Sequence, residues 1–319
     1  MHPTARLALA AVLATSALIA QAQSFPTRPI KLVVPTAAGV TPDVTGRILG
    51  NKLGQVLNGA IVVDNRPGAG GTIAADVVAK APPDGYTVLY APNQVPTMAP
   101  FMYHKLPYAQ SDLRPVTIVA QVGYVLLANK DLPVTNMKEL AEYVRANPGK
   151  VSYGSYGVGA ATHLLMEKLG GEMHAKLLHV PYKTSPLADL VSGRVQLLME
   201  PFGGSAVEAY KAGRVKALGV TLNTRAAALP NVPPISEYVK GFDTRGWLGL
   251  WVPAATPEPV VQKYQEGLAK VMADPEVNAQ FRGLDILPVN TGADAMAQTI
   301  AKESATWGPL IQKLGIKLD

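Results

Sequence analysis

Serine and histidine are the residue types in this chain best suited to covalent chemistry, but their spacing argues against an enzyme. Ser155 lacks the preceding glycine, two residues earlier, that a G-x-S-x-G nucleophile elbow requires. The five histidines form no H-E-x-x-H motif, and the absence of cysteine excludes disulfides, thiol catalysis and thiolate metal sites. We therefore expect no catalytic residue, no metal and no cofactor. His163 and His179 are interpreted as hydrogen-bonded structural residues.

One loop combines small residues with the start of a predicted helix, a pattern typical of an anion site. It joins a buried strand to that helix and runs through Thr36, Ala37, Ala38, Gly39, Val40, Thr41, Pro42 and Asp43. Small side chains let backbone N–H groups approach a ligand, and the helix dipole favours negative charge there. Thr41 or Asp43 is expected to cap the helix. An ordinary turn with Pro42 early in the helix explains the same residues equally well.

A second loop has the same character, again between a strand and a helix. It contributes hydroxyls and exposed N–H groups from Ser155, Gly157, Val158, Gly159 and Thr162. If the two loops lie on different lobes, they form a pair of helix-start sites that hold a carboxylate without arginine. A third loop, residues 65–71, is rich in glycine but fits neither a Walker nor a dinucleotide motif, so a structural role is at least as well supported.

The elements that position these loops alternate between strand and helix. Apolar runs at 30–34, 61–64 and 87–90 predict strands, separated by helices at 43–57 and 72–80. The middle of the chain repeats this order, and apolar stripes predict amphipathic helices at 257–272 and 294–314. This order predicts an α/β fold with parallel sheets, in two lobes around a cleft.

Composition narrows the class of protein further. The chain has 319 residues, of which 48% are hydrophobic and 16% charged, enough to bury the cores of two domains. A basic start, an apolar run from Leu7 to Ala20 and an A-x-A sequence ending at Ala22 predict a secretory leader, residues 1–22, that is cleaved. An N-terminal membrane tether is the alternative. The net charge of +6 is scattered, and no basic-aromatic cluster indicates nucleic-acid binding.

From about Phe25 onward, the sequence resembles the Bordetella uptake gene family, the periplasmic binding components of tripartite tricarboxylate transporters. The resemblance rests on the order and spacing of several short stretches: RPIKLVVP, NRPGAGG, APPDGYTVL, HVPYK, LVSGRVQLL, AGRVKALGVT, LPNVPPISE and WLGLWVPAATPEPVV. It implies a type II periplasmic-binding fold, with two Rossmann-like lobes joined by crossing strands. It also implies that one loop of each lobe holds a ligand carboxylate, which here corresponds to Thr36–Asp43 and Ser155–Thr162.

The sequence departs from the family pattern at several candidate ligand-binding positions. The family usually has an aromatic residue at Thr36 and more glycine where this chain has Val40 and Thr41. The loop with Asn93 and Gln94 keeps only the asparagine. Glu200 stands where many relatives carry aspartate, and Phe202 follows it. If Glu200 faces the cleft, it repels a second carboxylate and accepts a hydrogen bond from an amine, amide or hydroxyl; otherwise it bonds neighbouring backbone N–H groups.

These observations predict a monomeric periplasmic receptor that binds a small organic carboxylate and delivers it to the membrane permease of a tripartite tricarboxylate transporter. Lobe 1 is expected to comprise residues 25–121 and 252–319, and lobe 2 residues 122–251. Three alternatives remain open: a ligand-loaded partner of a sensor histidine kinase, a binder of a neutral amide such as an aromatic amide, and an enzyme on a two-lobe scaffold.

Overall fold

Two β-sheets, each flanked by helices, form the protein. The computed structural model describes residues 25–202, 204–242 and 244–318. The predicted leader at residues 1–22 lies outside the described residues. Within them, no helix has the length and apolar character needed to cross a membrane.

The first sheet has six strands in the order β11-β4-β10-β3-β1-β2. β1, β2 and β3 are parallel, and β10 runs antiparallel between β3 and β4. The carboxyl ends of β1–β4 therefore share one edge of the sheet, where the first candidate loop begins. The strands are β1 Ile30–Val34, β2 Ile61–Asn65, β3 Thr87–Pro92, β4 Leu113–Val122, β10 Gly246–Pro253 and β11 Ile286–Pro288.

The second sheet has five strands in the order β7-β6-β8-β5-β9. β6 is parallel to β7 and β8, whereas β5 is antiparallel to β8 and β9. β6 and β8 therefore end at the same edge, which carries the second candidate loop and Glu200. The strands are β5 Tyr124–Asn129, β6 Ser152–Ser155, β7 Leu178–Pro181, β8 Leu197–Pro201 and β9 Val215–Val220.

Helices connect the strands and cover the faces of both sheets. In chain order they are α1 Thr41–Leu57, α2 Thr72–Ala79, α3 Gln94–Thr97, α4 Ala99–Met102, α5 Met137–Ala146, α6 Ala161–Glu172, α7 Leu187–Ser192, α8 Gly204–Lys211, α9 Glu258–Ala273, α10 Pro275–Gly283 and α11 Ala293–Lys313. The predicted α/β organisation with two lobes is confirmed.

Two features of the lobe boundary differ from the sequence prediction. β10 pairs along its whole length with β4, so Gly246–Trp251 belongs to the first sheet rather than to lobe 2. The end of α11 also leaves lobe 1, because Trp307 and Ile311 are buried in a core cluster with Leu164 and Leu165 of α6. Hydrophobic runs alone do not predict where β10 or the end of α11 packs, because a buried strand or helix face fits the core of either lobe.

Candidate functional site

The first candidate loop leads into α1, and no side chain caps the N-terminus of this helix. The N-cap residue is Val40, with extended backbone angles and no capping side chain. The expected capping by Thr41 or Asp43 is therefore wrong in its detail. Asp43 lies in the first helical turn and reaches back, so that the Gly39 N–H donates to Asp43 Oδ2 at 2.8 Å. This bond holds the loop closed, and Gly39 adopts a φ of 86°.

A network of hydrogen bonds fixes the buried carboxylate of Asp43. Arg47 donates to both oxygens, at 3.1 and 2.8 Å, and Asn65 donates to Oδ1 at 2.9 Å. The Asn65 amide also donates to the Thr36 carbonyl at 3.0 Å, which ties β2 to the loop. The hydrogen bond from Arg47 is the main cause that lowers the pKa of Asp43 to about 2. Asp43 therefore stays ionised, and its charge is already paired.

Several donors of this loop remain available. Within the described residues, the N–H groups of Ala37, Ala38, Val40 and Thr41 donate to no protein acceptor. The loop surface is open, and the Val40 side chain is 45% exposed. The Thr36 hydroxyl is buried without a hydrogen-bond partner among the described residues. Unpaired donors at a helix start attract an anion, because the helix dipole adds to their partial positive charge.

The loop between β6 and α6 uses its side chains differently from the sequence expectation. The Thr162 hydroxyl accepts from the Tyr156 N–H at 3.2 Å, and the Ser155 hydroxyl accepts from the Gly157 N–H at 3.1 Å. Both hydroxyls thus shape the loop from within. The helix N-cap is Ala160, without a side-chain cap. Within the described residues, the N–H groups of Val158, Ala161 and Thr162 donate to no protein acceptor.

Two stacked histidine rings support this loop from below. The ring centroids of His163 and His179 are 3.9 Å apart, and the planes differ by 9°. The Gly159 N–H donates to His163 Nδ1 at 3.1 Å. Burial lowers the pKa of His163 to about 4; burial, with a further contribution from His163, lowers that of His179 to about 4. Both rings are therefore neutral at neutral pH, as the acceptor role of Nδ1 requires.

The contact between Ser155 and His179 resembles a nucleophile–base pair. Ser155 Oγ lies 2.7 Å from His179 Nε2. However, Ser155 is fully buried, and its hydroxyl also donates to the Gly157 carbonyl at 3.1 Å. A hydroxyl enclosed in this way has no access to a substrate carbonyl, so the pair braces the loop.

The short helices α3 and α4 lie between the glycine-rich loop at residues 65–71 and the lobe 2 loop. A Cβ atom placed on Gly71 would lie 2.6 Å from Val95 Cγ2 and 3.2 Å from Pro35, just before the first loop. At the other end of this segment, a Cβ on Gly159 would lie 3.0 Å from Met102 Sδ. The short helices of lobe 1 therefore contact the glycine-rich loop on one side and the lobe 2 loop on the other.

Glu200 lies beside the second loop and bonds one of its residues, Tyr156. It is the last residue but one of β8, is only 5% exposed, and its Oε1 accepts a hydrogen bond from the Tyr156 hydroxyl. Burial is the main cause that raises the pKa of Glu200 to about 7. Its Oε2 is buried without a partner among the described residues. Phe202 lies apart from the loop, in the packed core of lobe 2 against Gly123 and Leu222.

The structure joins Asn93 to a residue that the sequence did not single out. The Asn93 amide donates to Glu303 Oε2 at 3.0 Å, and Trp247 Nε1 donates to Oε1 at 2.8 Å. Gln94 is half-buried beside Gly70. Glu303 belongs to α11, so its carboxylate fixes this helix to β10 and to the residue that follows β3, both in the first sheet.

The sequence contained a signal for some of the missed residues and none for others. Asp43 and Arg47 are four residues apart on a helix, the spacing at which an ion pair forms. Tyr156 and Glu200 are 44 residues apart, and Asn93 and Glu303 are 210 apart. Only the folded topology brings these pairs together.

Known proteins share this architecture. A family model described as the tripartite tricarboxylate transporter family receptor matches residues 45–316. A UPF0065 protein in the tcbD-tcbE intergenic region of Pseudomonas sp. (strain P51) is 36% identical over 309 residues, covering 95% of this chain and 91% of that protein. The structure of the periplasmic binding protein BugD is 34% identical, with a TM-score of 0.74, and covers 92% of this chain and 100% of its own. R. palustris Rpa4515, solved with adipate, is 31% identical, with a TM-score of 0.78 and the same coverage.

These similarities confirm the two-lobed periplasmic-binding fold and the resemblance to Bordetella uptake gene proteins. BugD is a periplasmic binding protein, and Rpa4515 was solved with adipate, a dicarboxylate.

Proposed function

This chain belongs to the tripartite tricarboxylate transporter receptor family, and on that premise we propose that it is a periplasmic receptor for a small organic carboxylate. The observation that carries the proposal is the set of N–H groups at the starts of α1 and α6, one helix from each lobe, that have no acceptor among the described residues. Neither loop contains a lysine or arginine. The ligand carboxylate therefore binds to backbone donors, and it closes the lobes by bonding both sets at once.

The donors divide between the lobes. Ala37, Ala38, Val40 and Thr41 supply N–H groups from lobe 1, and Val158, Ala161 and Thr162 supply them from lobe 2. Val40 and Val158, which are 45% and 50% exposed, contribute apolar surface for the body of the ligand. Ser155, Gly157 and Gly159 shape the lobe 2 loop, and Asp43 and Thr36 shape the other.

A proline substitution tests the lobe 2 donors without removing a side chain that shapes the loop. Ala161 is the first residue of α6, and Ala160 before it is extended, with a ψ of 152°. Proline is favoured at this helix position and tolerates an extended residue before it. Ala161→Pro therefore deletes one N–H while the helix is retained. A hydrogen bond to a charged group contributes about 2 kcal/mol, so affinity should fall roughly 30-fold.

The assay is a thermal-shift screen of mono-, di- and tricarboxylates against their matched amides, followed by calorimetric titration of the acids that bind. Ala293→Pro is the control, because Ala293 also begins a helix and follows an extended ψ of 171° at Gly292, but lies outside both loops. The proposal predicts that Ala293→Pro binds like wild type. Equal affinity of Ala161→Pro and wild type for every acid would contradict it.

The mature chain is proposed to begin after residue 22, to act as a monomer and to deliver its ligand to a membrane permease. A sensor kinase is the alternative destination. Uptake of an isotope-labelled acid by host cells separates the two: deletion of the gene should abolish uptake and Ala161→Pro should reduce it. Unchanged uptake, with loss of an acid-induced transcriptional response, would favour the sensor.

A further inference from the structure

A buried carboxylate with one unused oxygen lies beside the proposed ligand site. Glu200 is 5% exposed, and its two oxygens differ in their surroundings. Oε1 accepts from the Tyr156 hydroxyl, whereas Oε2 is enclosed without a partner among the described residues. Unpartnered buried oxygens are uncommon in folded proteins, because they lose their hydrogen bonds to water without replacement. An unpaired buried acceptor of this kind is expected where a ligand group completes the bonding.

The position of Glu200 connects it with the cleft. β6 and β8 are parallel neighbours, so Glu200 at the end of β8 lies at the same sheet edge as the loop that begins at Ser155. Tyr156 of that loop is 39% exposed, and its hydroxyl donates to Glu200 Oε1. The Tyr156 N–H donates to the Thr162 hydroxyl in the first turn of α6, so a ligand held by the N–H groups there lies next to the residue that bonds the other oxygen of Glu200.

Within the part of the chain that the structure describes, no cation pairs with Glu200. The ionisable groups around it are Tyr156 on the loop, Tyr124 on β5 and, across Tyr124, Glu303 on α11. His163 and Glu167 on the packed helix α6 bond to Gly159 and Tyr153 instead. Burial, only partly opposed by the hydrogen bond from Tyr156, raises the pKa of Glu200 to about 7. Glu200 thus changes charge near neutral pH, where its hydrogen-bonding role reverses.

We propose that Glu200 is a proton-linked specificity residue that binds the second polar group of the ligand through Oε2. Protonated Glu200 donates to the second carboxylate of a dicarboxylate. Ionised Glu200 repels that carboxylate and accepts from an amide N–H at the same place. Lowering the pH therefore selects the diacid over its monoamide. The inference rests on the proposed carboxylate-binding function and adds to it a ligand class and a dependence on pH.

The test compares adipate with adipamic acid, its monoamide, by calorimetric titration at about pH 6.5 and about pH 8.5. The carboxyl groups of both acids are ionised at both values, because ordinary carboxyl pKa values lie near 4. With the pKa of Glu200 at about 7, the protonated fraction falls about 25-fold between the two conditions, so adipate should bind about 25-fold more weakly at the higher pH. The monoamide should not weaken.

Glu200→Gln is the decisive variant, since glutamine keeps the shape and has a donor and an acceptor at every pH. It should bind adipate with an affinity that does not change with pH. Tyr156→Phe removes the bond that lowers the pKa of Glu200, so the transition should move to higher pH. A fold check accompanies both: the circular dichroism of each variant should match that of wild type.

The outcomes separate the two proposals. If adipate binds equally well at both pH values, or if Glu200→Gln keeps the wild-type pH dependence, the proton-linked role is wrong and the carboxylate receptor stands. If wild type binds no acid from the thermal-shift screen at either pH, both proposals fail. If other acids bind but adipate does not, the proposal that Glu200 selects a dicarboxylate is wrong.

Discussion

Acid should loosen the lobe 2 loop through the stacked pair of His163 and His179. The Gly159 N–H donates to His163 Nδ1, and this bond is lost when Nδ1 takes a proton. Protonation of both rings would also place two positive charges in rings whose centroids are 3.9 Å apart. Burial already opposes the charged forms, and it lowers the pKa of His163 from 6.5 to about 4. The loop that carries the lobe 2 donors therefore depends on neutral imidazole.

The sign and size follow from proton linkage. Between pH 6.5 and pH 4 the unfolded chain binds a proton at residue 163 that the folded chain does not, so the free energy of unfolding falls as the pH falls. The contribution of neutral His163 to the free energy of unfolding is complete above pH 6.5 and is lost as the pH falls toward 4. Each pKa unit corresponds to about 1.4 kcal/mol, which gives about 3 kcal/mol for His163. Glu200 acts in the opposite direction, because its raised pKa favours the fold as the pH falls.

The assay must therefore compare wild type with a variant rather than follow wild type alone. In His163→Asn, the amide oxygen replaces Nδ1 as acceptor and does not titrate. Urea unfolding at about pH 7 and about pH 4.5 gives two differences in unfolding free energy between wild type and variant. The Glu200 contribution cancels in each, and wild type should lose about 2 kcal/mol more than the variant, because pH 4.5 still lies above the pKa of His163 in the folded protein. His174→Asn, at an exposed histidine with a φ of 50° outside the stacked pair, is the control, and the difference in unfolding free energy between this variant and wild type should be the same at both pH values.

A difference between wild type and His163→Asn that does not change with pH would refute this reasoning. It would mean that the ring is as readily protonated in the folded protein as in the unfolded chain. The acceptor role of Nδ1 would then be unnecessary, and the geometry of the Gly159 turn would need another cause.

Two further predictions concern the loops. Asp43→Asn should lower the unfolding free energy by about 2 kcal/mol at neutral pH, because it weakens the bonds from Arg47 and Gly39. With the pKa of Asp43 at about 2, this difference should disappear as urea unfolding is repeated at pH values falling from 3.8 toward 2; a constant difference would exclude the ionised carboxylate as its source. Gly159→Ala should destabilise by more than its control Gly149→Ala, since both have positive φ but only residue 159 places a Cβ 3.0 Å from Met102 Sδ. The left-handed conformation alone costs about 1 kcal/mol, and equal thermal unfolding of the two variants would show that the contact is harmless.

Much of the fold was predictable, because its signals are local. Apolar runs predict most strands of both sheets, and helical periodicity predicts the long helices that flank them. Together they indicate where loops follow strands. α10 was missed although its signal was present: Asp274 accepts from the N–H groups of Glu276 and Val277, and Pro275 follows it. Asp-Pro at a helix start is a recognised capping pattern.

The candidate site was less predictable, because its polar pairs depend on distant parts of the chain. The hydroxyls of Ser155 and Thr162 were read as groups offered to a ligand, but each accepts a backbone N–H of its own loop. Sequence spacing shows which side chains are near one another along the chain. Which acceptor a given N–H group bonds depends on the folded arrangement. The stacking of His163 on His179 and the bond from Asn93 to Glu303 belong to this second kind.

The proposed carboxylate site also has to tolerate two acidic neighbours, and the protein deals with each in a different way. Asp43 lies in the first turn of α1, where its charge would compete with a bound anion, but Arg47, Asn65 and the Gly39 N–H neutralise it. Glu200 has no such cation among the residues that the structure describes, and burial favours its protonated form instead. The lobe 1 loop should therefore attract carboxylates over the whole pH range in which Asp43 stays paired. In lobe 2, Glu200 should change near neutral pH from favouring a carboxylate to favouring an amide. On the proposed function, the first carboxyl group of the ligand provides binding that does not change with pH, and the second polar group makes affinity and selectivity depend on pH.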